Sequence, residues 1–171
     1  MARSRRTIRS LSELDALADN LAALNNKKIK VGVFGSDDAE MVTIARVHEY
    51  GTKIQVTDKM RAWFAYQGFP LKKETTEIVI PERSFLRSGY DENADDIADK
   101  MESLMPDVLD GNLNPDIFAD MIGLEMAGLI QKKLRDLRDP ANSSMTTERK
   151  GSSNPLVDTG RLVGSIRHEV E

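Results

Sequence analysis

The chain has 171 residues, 40% hydrophobic and 30% charged, with a formal net charge of −4. That composition describes a folded protein of about one domain and excludes the disordered class. No cysteine is present, which excludes disulfides and thiolate metal sites, and no run approaches the roughly 20 apolar residues of a membrane span.

The opening MARSRRTIRS carries Arg3, Arg5, Arg6 and Arg9 without one acid. As a basic arm over 1–10 it can neutralise phosphates or dock on an acidic protein surface, and a solvated terminus explains it equally well. It has no signal-peptide pattern, so synthesis in a reducing cytoplasm is expected. Ser10 and Glu13 form a capping-box pattern, and Leu11, Leu14, Leu17, Leu21 and Leu24 then recur at helical spacing up to Asn25-Asn26. In KKIKVGVFG, Ile29, Val31 and Val33 alternate with Lys28, Lys30 and Gly32, which predicts a half-buried strand.

Gly32-Val33-Phe34-Gly35 invites a phosphate-loop reading, but Ser36, Asp37 and Asp38 place negative charge where phosphate would need bare amides. These residues read better as caps of a helix over about 39–50, with Met41, Ile44, Ala45 and His48 on its core face and Gly51 closing it. His48-Glu49 could be taken for a base beside its orienting acid. Adjacent helical residues point about 100° apart, so a packed histidine is the simpler reading. The other histidine, His168, is far away in sequence, so a zinc site would need carboxylates to complete it.

Lys53 to Val56 and Glu77 to Ile80 read as strands, with a helical turn near 60–66 between them. Trp63, Phe64, Tyr66 and Phe69 gather in this excursion, either as a satellite core or, if exposed, as a subunit or partner interface. Pro81 then predicts the first turn of a long helix. Its stripe runs Leu86, Tyr90, Ala94, Ile97, Met101, Leu104 and Met105, and Asp91, Glu92, Asp95, Asp96, Asp99 and Glu102 form a solvated opposite face. Pro106 ends or kinks it.

Asn114 caps a second long helix to about Arg138, in which Gly123 and Gly128 suggest close helix or subunit approaches. The polar stretch 139–154 has no apolar period and is expected to be a mobile loop. Residues 155–171 return to the core, with Asp158 capping a short turn and a strand over about 166–170. The fold class expected is α+β: a small antiparallel or mixed sheet against two long helices, in a core domain over 11–138.

Asp158-Thr159-Gly160 matches the catalytic triplet of aspartic proteases, in which two carboxylates share a proton. Only eleven residues follow Gly160, too few for the sheet that such an enzyme needs there. Arg161 is expected to hold Asp158 ionised. A protease is therefore a remote alternative, and no catalytic, cofactor or metal residue is assigned.

Three phrases carry a resemblance: IARVHEYGT over 44–52, IPERSFLR over 80–87, and PLVDTGRL over 155–162 followed by Ser165-Ile166. In this order they resemble the neck, tail-completion and virion-morphogenesis proteins of long-tailed double-stranded-DNA bacteriophages. The family-like positions are His48, Tyr50, Gly51, Pro81, Arg83, Phe85, Arg87, Asp158, Thr159, Gly160 and Arg161. The resemblance implies a non-enzymatic α+β subunit of the virion head–tail junction. It implies a homo-oligomeric ring, taken as hexameric, that meets other neck, portal-side adaptor or tail-tube proteins and touches genomic DNA transiently in its channel. No membrane and no cofactor are implied. A DNA-binding regulator using the arginine arm is the alternative, although the most basic helical segment, 132–138, is interrupted by Leu134, Asp136 and Leu137.

Overall fold

The structure, a computed structural model, describes residues 10–36, 38–151 and 153–171. The arm arginines Arg3, Arg5, Arg6 and Arg9 lie outside the described residues. The fold is α+β, as expected. Among the described residues there are eight helices and four strands: helix and strand alternate up to Ile80, then five helices follow in succession before the last strand. The strands form two separate antiparallel ribbons, β1 (Ile29–Val33) with β4 (Ile166–Val170) and β2 (Thr52–Gln55) with β3 (Glu77–Ile80), in place of one sheet.

Two compact units divide the chain. The first takes residues up to Val31, then Asn93–Ala127 and Arg167–Glu171. Its helix α1 (Leu11–Asn25) is capped by Ser10, whose hydroxyl accepts the Glu13 amide, and it lies against α5 (Ala94–Leu109). The acids Asp95, Asp96, Asp99 and Glu102 of α5 are exposed, as its pattern predicts. Helix α6 (Pro115–Asp136) begins here with the Asn114 side chain accepting the Asp116 amide. Ile97 and Val108 of α5 and Phe118, Ala119, Ile122, Met126 and Ala127 of α6 are buried in this unit. Lys28 at the start of β1 (Ile29–Val33) and Glu171 at the end of β4 (Ile166–Val170) exchange backbone bonds of 2.8 and 2.9 Å.

The second unit takes Gly32–Glu92 and Gly128–Ile166. Asp38 caps α2 (Ala39–Tyr50) by accepting the Glu40 and Met41 amides, and Gly51 ends it at φ 67°. The strands β2 (Thr52–Gln55) and β3 (Glu77–Ile80) pair with Thr52 opposite Ile80, and α3 (Asp58–Tyr66) is set in the excursion between them. Met41, Ala45, Phe85, Leu134, Leu156 and Leu162 are buried in this unit.

Several expectations are corrected. Residues 81–85 do not start a helix, because the Arg83 amide bonds His48 O and the Phe85 amide is taken by a carboxylate; α4 spans only Leu86–Asp91. The stripe therefore breaks, and Tyr90 is exposed. Pro106 sits inside α5, whose last turn is held by the fully buried Val108 and by Asn20 Nδ2 on Val108 O. The polar stretch 139–154 carries α7 (Ser144–Lys150). Local caps suffice for it, with Ser143 accepting the Thr146 amide at one end and left-handed Gly151 at the other. On α2 the buried residues are Met41, Ala45 and Glu49, whereas His48 and Ile44 are only half-buried.

The two glycines of α6 differ. A Cβ on Gly123 would stand 2.5 Å from the His168 ring, but one on Gly128 would meet nothing within 4 Å. Gly123→Ala should therefore cost about 1–3 kcal/mol through overpacking, while Gly128→Ala should be neutral or stabilise by up to about 1 kcal/mol through helix propensity. Urea unfolding of the two variants beside the parent measures both, and equal effects would contradict the packing described.

Candidate functional site

Helix α4 begins without a local cap: Phe85, at its N-cap position, makes no side-chain cap bond. Its first amides therefore need an acceptor from elsewhere. Glu49 provides it from the last turn of α2, where a carboxylate faces the negative helix end and is disfavoured unless partnered. The Phe85 and Leu86 amides donate to Glu49 Oε2, both at 2.9 Å. The Arg87 amide and Arg87 Nε donate to Oε1 at 3.0 Å, and Ser84 Oγ donates at 2.7 Å. Five donors thus surround a carboxylate that is only 2% exposed. Burial acts to raise its pKa, but the amides of Arg87, Leu86 and Phe85 and the Ser84 hydroxyl outweigh that and hold it below the ordinary glutamate value.

The same joint fixes its neighbours. Arg87 Nη2 reaches Glu49 O at 2.9 Å and Glu82 Oε1 at 2.7 Å, and its guanidinium lies 4.7 Å from the Tyr50 ring centroid. Gly51 has two reasons to be glycine: a positive φ, and a Cβ position only 2.8 Å from the Glu82 amide nitrogen. Arg83, itself buried, spreads over the next loop. Its Nε reaches Pro140 O at 2.6 Å, and Nη2 reaches Ala141 O at 3.0 Å and Asn142 Oδ1 at 3.2 Å.

The third phrase joins the other end of α2. Gly160, at φ 82°, precedes α8 (Arg161–Gly164), and Arg161 Nη2 bonds Asp38 Oδ2 at 2.9 Å and Glu40 Oε2 at 3.1 Å. Two expectations fall here. Asp158 does not cap α8, and Arg161 serves the acids at the start of α2 and not Asp158, because those acids already concentrate negative charge at one point. Asp158 and Thr159 are exposed.

Beside the joint is a cleft of about 640 Å³. Trp63, Phe64, Phe69, Ile78, Val79 and Ile80 supply its apolar wall. The aromatic quartet is thus no closed satellite core: α3 buries nothing, Trp63 is 46% exposed, and Tyr66 projects to solvent at 87%. His48, Arg83, Asn142 and Arg149 add polar groups, and His48 Nδ1 and Asn142 Nδ2 are buried without a hydrogen-bond partner. Burial, then the charges of Arg83 and Lys150, push the His48 pKa down to about 4, so the ring is neutral at pH 7. Among the described residues, no group of three or more His, Asp or Glu stands where it could hold a metal ion.

Sequence reasoning named His48, Tyr50, Gly51, Pro81, Arg83, Phe85 and Arg87 as family-like positions, and the structure brings them together around Glu49, which the sequence had offered only as an orienting acid for His48. Half of the signal was available: a glutamate in the last turn of a helix calls for donors. The chain matches no family model, no curated protein and no solved structure.

Glu49→Ala should destabilise the protein by about 3–5 kcal/mol, as for any buried charge centre whose partners are stranded. With its folded pKa depressed, Glu49 contributes stability that is present above the unfolded value near 4.5 and is lost as pH falls through the folded value. The stability gap between the parent and Glu49→Gln, measured by urea unfolding, should therefore narrow from pH 6 to pH 3. A gap independent of pH would contradict the ionised assignment. His48 makes a second pH prediction: the folded ring stays neutral below its unfolded pKa of 6.5, so stability falls with pH from there toward about 4. In proton NMR its ring signals should titrate near pH 4, and a midpoint near 6.5 would mean an open, solvated imidazole.

Proposed function

We propose that this chain is a structural subunit of a bacteriophage neck or tail-completion ring, which joins head and tail and lets DNA pass. The observation that carries the reading is the convergence of the three family-like phrases on one helix. IARVHEYGT supplies α2 and its terminal Glu49, IPERSFLR supplies the amides that Glu49 binds, and PLVDTGRL supplies Arg161 for Asp38 and Glu40 at the other end. Phrases dispersed over more than a hundred residues thus act as one built element of the second unit. In this reading the exposed carboxylates of α5 face phosphates with like charge, so that DNA slides without adhering. The arm arginines contact a neighbouring neck protein.

The first test is the native mass of the purified chain by sedimentation equilibrium over a wide concentration range, beside electron microscopy of the same sample. A closed ring, six subunits in the first instance, is expected, and it should persist when Arg3, Arg5, Arg6 and Arg9 are replaced together by Ala. That quadruple variant should lose docking to tails or heads in an in vitro assembly reaction. If it instead loses tight, sequence-specific DNA binding that the parent chain displays, a regulator is the better description.

A further inference from the structure

The cleft beside the Glu49 joint has features that the ring reading leaves unused. Three consecutive residues of β3, Ile78, Val79 and Ile80, line it. Alternate side chains of a strand point to opposite faces, so a wall made of consecutive residues is a strand edge with its backbone groups. That edge is open, because β3 has β2 on one side and no strand on the other among the described residues. A two-stranded ribbon is marginal by itself and gains from a third strand. Val79, at the middle of the edge, is 54% exposed, and Trp63 beside it is 46% exposed.

The charge around the cleft has one sign. No Asp or Glu lines it, in a chain with 28 of them, whereas Arg83 and Arg149 do. Arg149 is exposed at the rim. The unpartnered Asn142 Nδ2 in the wall is a donor, and it can serve only an acceptor. Open backbone edge, apolar floor, positive rim and spare donor together specify the occupant.

We propose that the cleft is a docking groove for an extended acidic segment of a partner protein. The segment adds to the free edge of β3 as a third strand, seats apolar side chains against Trp63, Phe64 and Phe69, and presents carboxylates to Arg149 and the Asn142 amide. The pattern is β-strand addition, in which main-chain bonds give affinity and alternate side chains give selectivity. This inference stands on the cleft alone and does not depend on the neck assignment.

Trp63 is the single tryptophan of the chain and lies in the groove, so its fluorescence reports occupancy directly. The probe is a capped peptide of about nine residues, a strand's length, alternating glutamate with valine. A lysine–valine peptide of the same length, an N-methylated glutamate–valine peptide and oligothymidylate are the comparisons. Saturable change with the glutamate–valine peptide alone is expected, weakened about ten-fold by Arg149→Glu and by Val79→Asp, both at exposed positions. No saturable change overturns the proposal. Equal binding of the lysine–valine peptide overturns the charge argument, and equal binding of the N-methylated peptide overturns strand addition. Competition by oligothymidylate assigns the groove to nucleic acid. A concentration-dependent Trp63 shift without any peptide, abolished by Val79→Asp, assigns it to a second copy of the chain; either result displaces the acidic partner.

Discussion

A carboxylate withdrawn from water must be met by donors, and in this protein that requirement ties two distant segments together. Glu49 cannot be removed from solvent at the end of α2 unless several hydrogen bonds replace its hydration. The Phe85, Leu86 and Arg87 amides, the Ser84 hydroxyl and Arg87 Nε supply them. Much else depends on this arrangement. The chain must turn back within two residues of Glu49, hence Gly51; the 81–85 segment must stay non-helical to aim its amides; and Arg83, set by its own amide bond to His48 O, is left to organise residues 140–142. A helix start and a helix end, each incomplete alone, complete each other.

The cleft is a consequence of that joint. Arg83 brings the 140–142 backbone to one side, and β3 leads into Pro81 on the other. Burial, helped by the charges of Arg83 and Lys150, opposes protonation of His48, so the imidazole serves as a neutral polar group and the charged residues that line the groove are Arg83 and Arg149. Electrostatic character in this region is thus set by what stabilises the backbone, and any ligand must be complementary to a structural requirement.

Local signals in the sequence were reliable where the structure is local. Ser10, Asp38 and Asn114 cap the helices that their spacing announced, and β3 has the bounds its pattern indicated. What the sequence hid was every feature decided at a distance. The stripe from Leu86 to Met105 keeps helical period in the sequence through a break at Glu92-Asn93, because residue spacing alone does not register where one helix ends and the next begins. The α7 helix has no apolar face to detect, only caps. Glycine was ambiguous for the same reason: Gly123 and Gly128 look alike in α6, but only the first lies against His168. Glu49 was weighed only as an acid for His48 and set aside on helix geometry, because its true partners lie more than thirty residues away.

The exposed apolar residues extend this argument from the fold to assembly. On α6, Ile117, Met121 and Leu124 follow one another at helical spacing and are 55%, 38% and 63% exposed, opposite the buried Phe118, Ile122 and Met126. On the β2–β3 ribbon and α3, Ile54, Val79, Trp63 and Tyr66 are likewise exposed. A large apolar side chain gains roughly 1.5–3 kcal/mol when fully buried, and each of these leaves part of that gain unrealised. Single exposed leucines need no explanation, but a row on one helix face does. Two-stranded ribbons cover little surface, so the excess is built into an architecture in which, among the described residues, eight helices meet only four strands. The chain therefore leaves apolar surface on α6, α3 and the β2–β3 ribbon whose burial its own core does not achieve.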